Sequence, residues 1–139
     1  MECRSPDDPD EQPSIEKRLR EQLIKSANEA KDPSVRAYAA LKLGEYADGE
    51  DIEVLARLVE DEDKSVRAAA ARAISMGGES SIPVLTRLMG HPDWRVRYRA
   101  VEALGFIGSP RVKDTLVKSL RDDRDHVRYM AAKGLREMC

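Results

Sequence analysis

The stretch Leu104-Gly105-Phe106-Ile107-Gly108-Ser109-Pro110 reads as the end of one helix, a tight turn and the start of another. An apolar helix then runs to Leu120, and a short acidic turn leads to Val127-Arg128. The Val-Arg pair also stands at Val35-Arg36, Val66-Arg67 and Val96-Arg97, so its four copies are spaced 31, 30 and 31 residues apart. A two-helix unit of this size cannot bury its apolar stripe alone and must lean on the next copy. The fixed period therefore predicts an all-α solenoid of about four layers of helix pairs.

Each copy is built alike. Asp32, Asp63 and Asp93 stand three residues before the valine, where a carboxylate can accept an orphan N–H at the start of a helix. Pro33 follows the first of them and suits the first helical position, where no N–H is needed. In the fourth copy Arg124 takes that place between Asp123 and Asp125, which predicts a cap shifted by one residue. Valine pairs with an aliphatic residue eight positions on: Val35 with Leu43, Val66 with Ile74, Val96 with Leu104, Val127 with Leu135. Alanines between them let neighbouring helices approach closely. Glycines at 44, 49, 77, 78, 105 and 108 are read as breaks.

Second helices are expected over 51–60, 80–89 and 110–120. Their buried positions are Ile52, Leu55, Leu58 and Val59, then Ile82, Leu85, Leu88 and Met89, then Val112, Leu116 and Leu120. Before them, Ile15, Leu19, Leu23 and Ala27 form one stripe of an amphipathic helix opening near Ser14. This divides the chain into an acidic, proline-containing tail at 1–13, expected to be disordered, and a repeat domain at 14–139. Within the domain lie a half repeat at 14–31, full repeats at 32–61, 62–91 and 92–122, and a half repeat at 123–139.

A net charge of -2 gives no global basic field for nucleic acid. No run of about eighteen apolar residues points to a membrane helix, and the N-terminus lacks a signal-peptide pattern. Cys3 and Cys139, the only two cysteines, sit at opposite ends of a long stack, too far apart to bridge. A cytoplasmic protein is expected.

The run from Leu104 to Val112 with Leu116, Asp122-Asp123 and Val127-Arg128-Tyr129-Met130-Ala131-Ala132 resembles the short HEAT-like repeat of the phycobilin-lyase type. Asp32-Pro33-Ser34-Val35-Arg36 and Asp63-Lys64-Ser65-Val66-Arg67 follow the same pattern, and the resemblance spans about residues 14–138. It implies a right-handed α-α superhelix with the second helices on the concave face. Members are mostly interaction scaffolds, with some chromophore lyases and some metal-dependent hydroxylases of protein substrates. The hydroxylase branch implies His-Glu pairs as iron ligands, whereas His91 here precedes Pro92 and His126 precedes Val127.

No nucleophile elbow, phosphate loop or metal-ligand spacing occurs, so no catalytic or metal residue, no cofactor and no enzymatic activity are expected. The leading reading is a non-catalytic scaffold that binds a protein partner along the concave face. Formal charge on the second helices runs from -4 (48–60) through 0 (79–89) to +3 (111–121), a polarity that would steer a partner into register. Candidate contacts there are Glu50, Glu53, Arg57, Arg87, Arg111, Lys113, Lys118 and Arg121. Trp94, the only tryptophan, forms a second, edge site with Arg95 and Arg99, residue types enriched in binding hot spots. Tyr98 and Tyr129 share one repeat position and are assigned to packing. Arg36, Arg67, Arg97 and Arg128 form a structural ladder onto acidic caps and helix ends. The alternatives are nucleic-acid binding through the basic C-terminal end and a lyase-like accessory subunit. Self-association through Met130, Leu135 and Met138 of the last helix is a further expectation.

Overall fold

The computed structural model describes residues 11–46 and 49–138, which form eight α-helices and no strand. In chain order these are α1 (Glu11–Glu29), α2 (Pro33–Gly44), α3 (Gly49–Leu58), α4 (Lys64–Ser75), α5 (Ile82–Leu88), α6 (Trp94–Ile107), α7 (Lys113–Ser119) and α8 (Asp125–Glu137). Short 3-10 turns at Gly78–Ser81 and Pro110–Val112 lead into α5 and α7.

Aspartate caps set three of the starts. Asp32 Oδ1 accepts the Ser34 N–H at 2.9 Å, Asp63 Oδ1 accepts those of Ser65 at 2.8 Å and Val66 at 3.3 Å, and Asp93 Oδ1 accepts that of Arg95 at 2.9 Å. Pro33 occupies the first turn of α2. The expected shift in the fourth copy does not occur. Arg124 keeps the cap position of α8 without a side-chain cap, and Asp122 Oδ1 accepts its N–H at 3.0 Å.

The first helices α2, α4, α6 and α8 stack in succession, and α1, α3, α5 and α7 form the second layer beside them. Because α1 packs on both α2 and α3, it takes the place of a second helix. Between the layers Leu43, Leu55, Ile74, Leu85, Leu104 and Leu116 are fully buried, each worth roughly 1.5–3 kcal/mol of apolar burial. Val66, Val96 and Val127 are also buried, whereas Val35 is 45% exposed. The valine thus faces the preceding first helix, and none precedes α2 among the described residues.

Small residues bring the first helices together. A Cβ on Gly44 would meet the Ala73 Cα at 2.9 Å, and one on Gly105 would meet the Gly134 Cα at 3.4 Å. Gly105 therefore lies inside α6 as a point of close approach, not as the break expected, whereas Gly44 is the last residue of α2 and combines a close approach with the helix end. Gly108 does end a helix: at φ 65° it caps α6 in the left-handed region and returns its N–H to Leu104 O.

Other expectations need correction. Helix α1 is already formed at Glu11, ahead of the start expected near Ser14. Ile15 and Leu19 are 47% and 45% exposed, since no described helix covers that end of α1. Leu120 is exposed because α7 ends at Ser119, which is buried in its stead. Met130 is buried, Leu135 and Met138 are half-buried, and Tyr129 is the exposed apolar side chain of α8. The expected tail up to residue 10, Cys3, Cys139 and Asp48 lie outside the described residues, as does the side chain of Glu50.

Candidate functional site

Two surfaces carry the candidate residues. On the second-helix layer, acidic and basic side chains pair from one layer to the next. Arg20 of α1 meets the buried Asp51 of α3 at 2.9 Å. Glu53 of α3 takes both terminal nitrogens of Arg87 in α5, at 3.1 and 2.9 Å. Glu79 accepts the Ser109 hydroxyl at 2.7 Å and meets the Arg111 guanidinium at 3.5 Å. Glu53, Arg87 and Arg111, read as partner contacts, are thus engaged within the chain. Of the charges that make up the formal gradient, Asp51, Glu53, Glu79 and Arg87 are thus paired in place.

The basic end differs. Lys113, Lys118 and Arg121 are exposed and form no ion pair among the described residues, and the same holds for Arg57 on α3. Beside them Val117 and Leu120 are 47% and 38% exposed. Lys113 and Val117 are four residues apart on α7 and share one face, and Leu120 and Arg121 follow just past its end.

The second surface lies at the starts of α4, α6 and α8. Lys64 and Arg67 from α4 form one wall of a cavity of about 240 Å³. Trp94, Arg95, Tyr98 and Arg99 from α6 form another, and His126 of α8 completes it. The structure thus brings Trp94, Arg95 and Arg99 to one cavity, adds Lys64 and His126, which sequence reasoning missed, and places there Arg67, which was read only as part of the structural ladder. Lys64 resembles any exposed helix-start lysine, and only the stacking of layers brings it near Trp94.

Trp94 is half-buried against the core and stacks on His126, with ring centroids 4.9 Å apart and 28° between planes. Tyr98 meets its edge at 6.5 Å, and the Arg124 guanidinium sits 5.4 Å from its centroid. Arg95 forks onto Asp93, with contacts of 3.2 and 2.9 Å. The Arg95 guanidinium and then its N–H hold the Asp93 carboxyl down at about 2, below the ordinary 3.8. Arg99 pairs with Glu102 at 2.9 Å and lies over Tyr98 at 5.0 Å. Tyr98 therefore packs at the cavity wall while Tyr129 is 64% exposed, so the shared repeat position does not give a shared role.

The recurring arginines tie the layers. Arg36 gives Nη1 to Ala30 O at 2.8 Å and Lys31 O at 3.1 Å, and its Nε and Nη2 reach the two Asp61 oxygens, both at 3.1 Å. Arg97 repeats this with His91 O, Pro92 O and the Asp122 carboxylate at 2.9 and 3.1 Å, and adds Asp123 at 2.9 Å. Burial pushes the Asp122 carboxyl up, but the Arg97 guanidinium and the Arg124 N–H outweigh it and hold the group below its ordinary value. Arg128 donates to Asp122 O at 2.5 Å and pairs with Asp125. Arg67 gives Nη1 to Asp61 O at 2.9 Å and Glu62 O at 2.8 Å, yet its Nε is buried with no acceptor among the described residues.

The chain belongs to the HEAT-repeat family: the model for HEAT repeats matches residues 20–88 and 75–136. No curated protein sequence matches it. Among solved structures, human deoxyhypusine hydroxylase in complex with glycerol is similar at a TM-score of 0.77 and 21% identity, over 91% of this chain and 46% of that one. The complex of CpcE and CpcF of phycocyanin lyase from a Nostoc species gives 0.56 and 23%, over 86% and 52%. An engineered protein gives 0.50 and 26%, over 86% and 62%. The chain thus spans about half the length of the two natural proteins.

These likenesses support the all-α superhelix and the resemblance to lyase-type repeats. They overturn the expectation of a chain without enzymatic activity. A hydroxylase and a lyase are built on this architecture, so a missing sequence motif is no ground for assigning a role without chemistry. Among the described residues no helix is long and apolar enough to cross a membrane.

Proposed function

We propose that this HEAT-repeat scaffold binds a protein partner along its second-helix face and is anchored at α7. The observation that carries this is the row of exposed Val117 and Leu120 set among Lys113, Lys118 and Arg121, which have no ion partner among the described residues. Apolar groups supply affinity once covered, and cations at the rim choose an acidic partner surface and speed encounter. Glu53 and Arg87 are already paired across layers, which leaves α7 as the part of that face where cations unpaired among the described residues cluster. The lyase solved as a complex of CpcE and CpcF gives a precedent for this kind of repeat meeting a second chain. A protein partner is favoured over nucleic acid because the net charge is -2 and the exposed cations alternate with apolar side chains.

The test is affinity capture from the source cell with the wild-type chain and with a Lys113→Glu, Lys118→Glu, Arg121→Glu variant. A partner held by the wild type, resistant to nuclease and lost from the variant supports the reading. Equal capture by both, or capture abolished by nuclease, refutes it.

A further inference from the structure

Asp61 and Asp122 each stand two residues before the cap position of the next first helix, and each does two jobs. Oδ1 accepts the backbone N–H two residues on, from Asp63 at 2.9 Å or Arg124 at 3.0 Å. The carboxylate as a whole also receives the fork of the arginine one layer back, Arg36 or Arg97. In the middle layer this position holds His91.

His91 does the first job only. Its Nδ1 accepts the Asp93 N–H at 3.0 Å, so the ring proton sits on Nε2, which meets Glu60 at 2.5 Å. With one nitrogen accepting and the other donating, no lone pair remains for a guanidinium. Arg67 accordingly keeps its loop carbonyls, but its Nε lies buried without an acceptor. The cavity beside it is lined by Lys64, Arg95 and Arg99, and no carboxylate lines it. Arg95 and Arg99 are offset by Asp93 and Glu102; Lys64 has no ion partner among the described residues.

We propose that this cavity is a docking site for an acidic side chain of a peptide segment, with Lys64 and the Arg67 guanidinium, which share one wall, as the cations that receive it. The ligand class follows from the fold. The same guanidinium in two other layers takes a carboxylate in a two-point fork, and here the chain supplies none. A nucleic-acid strand fits less well. The Trp94 ring on which a base would stack already carries His126 and Arg124, and Tyr98 carries Arg99. The site uses the starts of the first helices and is independent of the α7 surface, so either assignment can fail without the other.

Trp94, the only tryptophan, reports from the cavity wall. Its emission is followed while hexaglutamate is added at low salt, with calorimetry on the same samples. A saturable change is expected, weakened at least tenfold by Arg67→Gln. His91→Asp, which gives Arg67 a carboxylate from within, is expected to weaken binding at least as much. It keeps the test decisive if Arg67→Gln does not fold. Three results overturn the proposal: no binding by either readout, binding unchanged in His91→Asp, or loss of binding on reversing Lys113 and Lys118 instead. A hexathymidylate that binds more tightly than hexaglutamate under the same conditions also overturns it, as a phosphate site.

Discussion

His91→Asp tests the arginine ladder through stability alone. In the Arg36 and Arg97 layers the guanidinium and carboxylate are only 10–14% exposed, so the pairs are shielded from solvent. In the middle layer the buried Arg67 Nε has no acceptor. A buried donor without an acceptor costs ~1–3 kcal/mol, and a charge-assisted hydrogen bond contributes ~1.5–3 kcal/mol net. Against this stands the loss of the His91–Glu60 contact, whose side chains are 24% and 48% exposed, worth ~0–1 kcal/mol. The new carboxylate also meets Glu60, an exposed repulsion of similar size. Asp at 91 still accepts the Asp93 N–H, as Asp61 does for Asp63. The balance is a gain of ~1–2 kcal/mol. With a urea m-value of ~2 kcal/mol/M, the midpoint rises by ~0.5–1 M at unchanged slope. The same substitution in an Arg67→Gln background should give no gain, because the pair is then absent. A midpoint that falls, or an equal gain in both backgrounds, would refute the reasoning.

Two further outcomes rest on particular contacts. Gly44→Ala places a Cβ 2.9 Å from the Ala73 backbone, so an overpacking cost of ~1–3 kcal/mol exceeds the helix-propensity gain of ~1 kcal/mol, whereas Gly134→Ala, at 3.4 Å, is near neutral. Urea unfolding of both checks this, and a stabilised Gly44→Ala would show that α2 and α4 are farther apart than described. Asp32, Asp63, Asp93 and Asp122 all have depressed carboxyl values in the fold. The Ser34 and Ser65 hydroxyls are the main cause for Asp32 and Asp63. A depressed native value means the folded state binds fewer protons, so this stability is complete above the ordinary 3.8 and drains away below it, for Asp93 as pH falls toward about 2. Calorimetric melting between pH 7 and pH 2 should show a steep loss of Tm below about pH 4; a flat profile there would contradict it.

The sequence carried the layers because their determinants are local. Caps at Asp32, Asp63 and Asp93, Pro33 in a first turn and the Val-Arg period each act within a few residues. What it did not carry depends on which helix lies opposite. Nothing in residues 51–60 says that Glu53 will face Arg87, thirty-four positions on. An apolar stripe shows that Ile15 and Leu19 share a face, but not whether another helix covers it. Leu120 continued the pattern of Val112 and Leu116, yet a 3-10 turn at Pro110–Val112 and an end at Ser119 leave it outside α7. The cavity was half legible: Trp94 and its arginines stood out by type, whereas the role of Arg67 appears only when His91 is compared with Asp61 and Asp122 in space.

The exception at His91 also bears on how the array bends. Arg36–Asp61 bolts the first layer to the second, and Arg97–Asp122 bolts the third to the fourth. Between the second and third, the join relies on helix contact, on Arg72 of α4 lying over the Phe106 ring of α6 at 4.5 Å, and on the exposed Glu53–Arg87 and His91–Glu60 pairs. In an array stabilised by nearest-neighbour coupling, that makes two stiff blocks with a compliant joint in the middle. A bending load on the array would then be taken up first at the α4–α6 join, with each pair of bolted first helices moving as a unit.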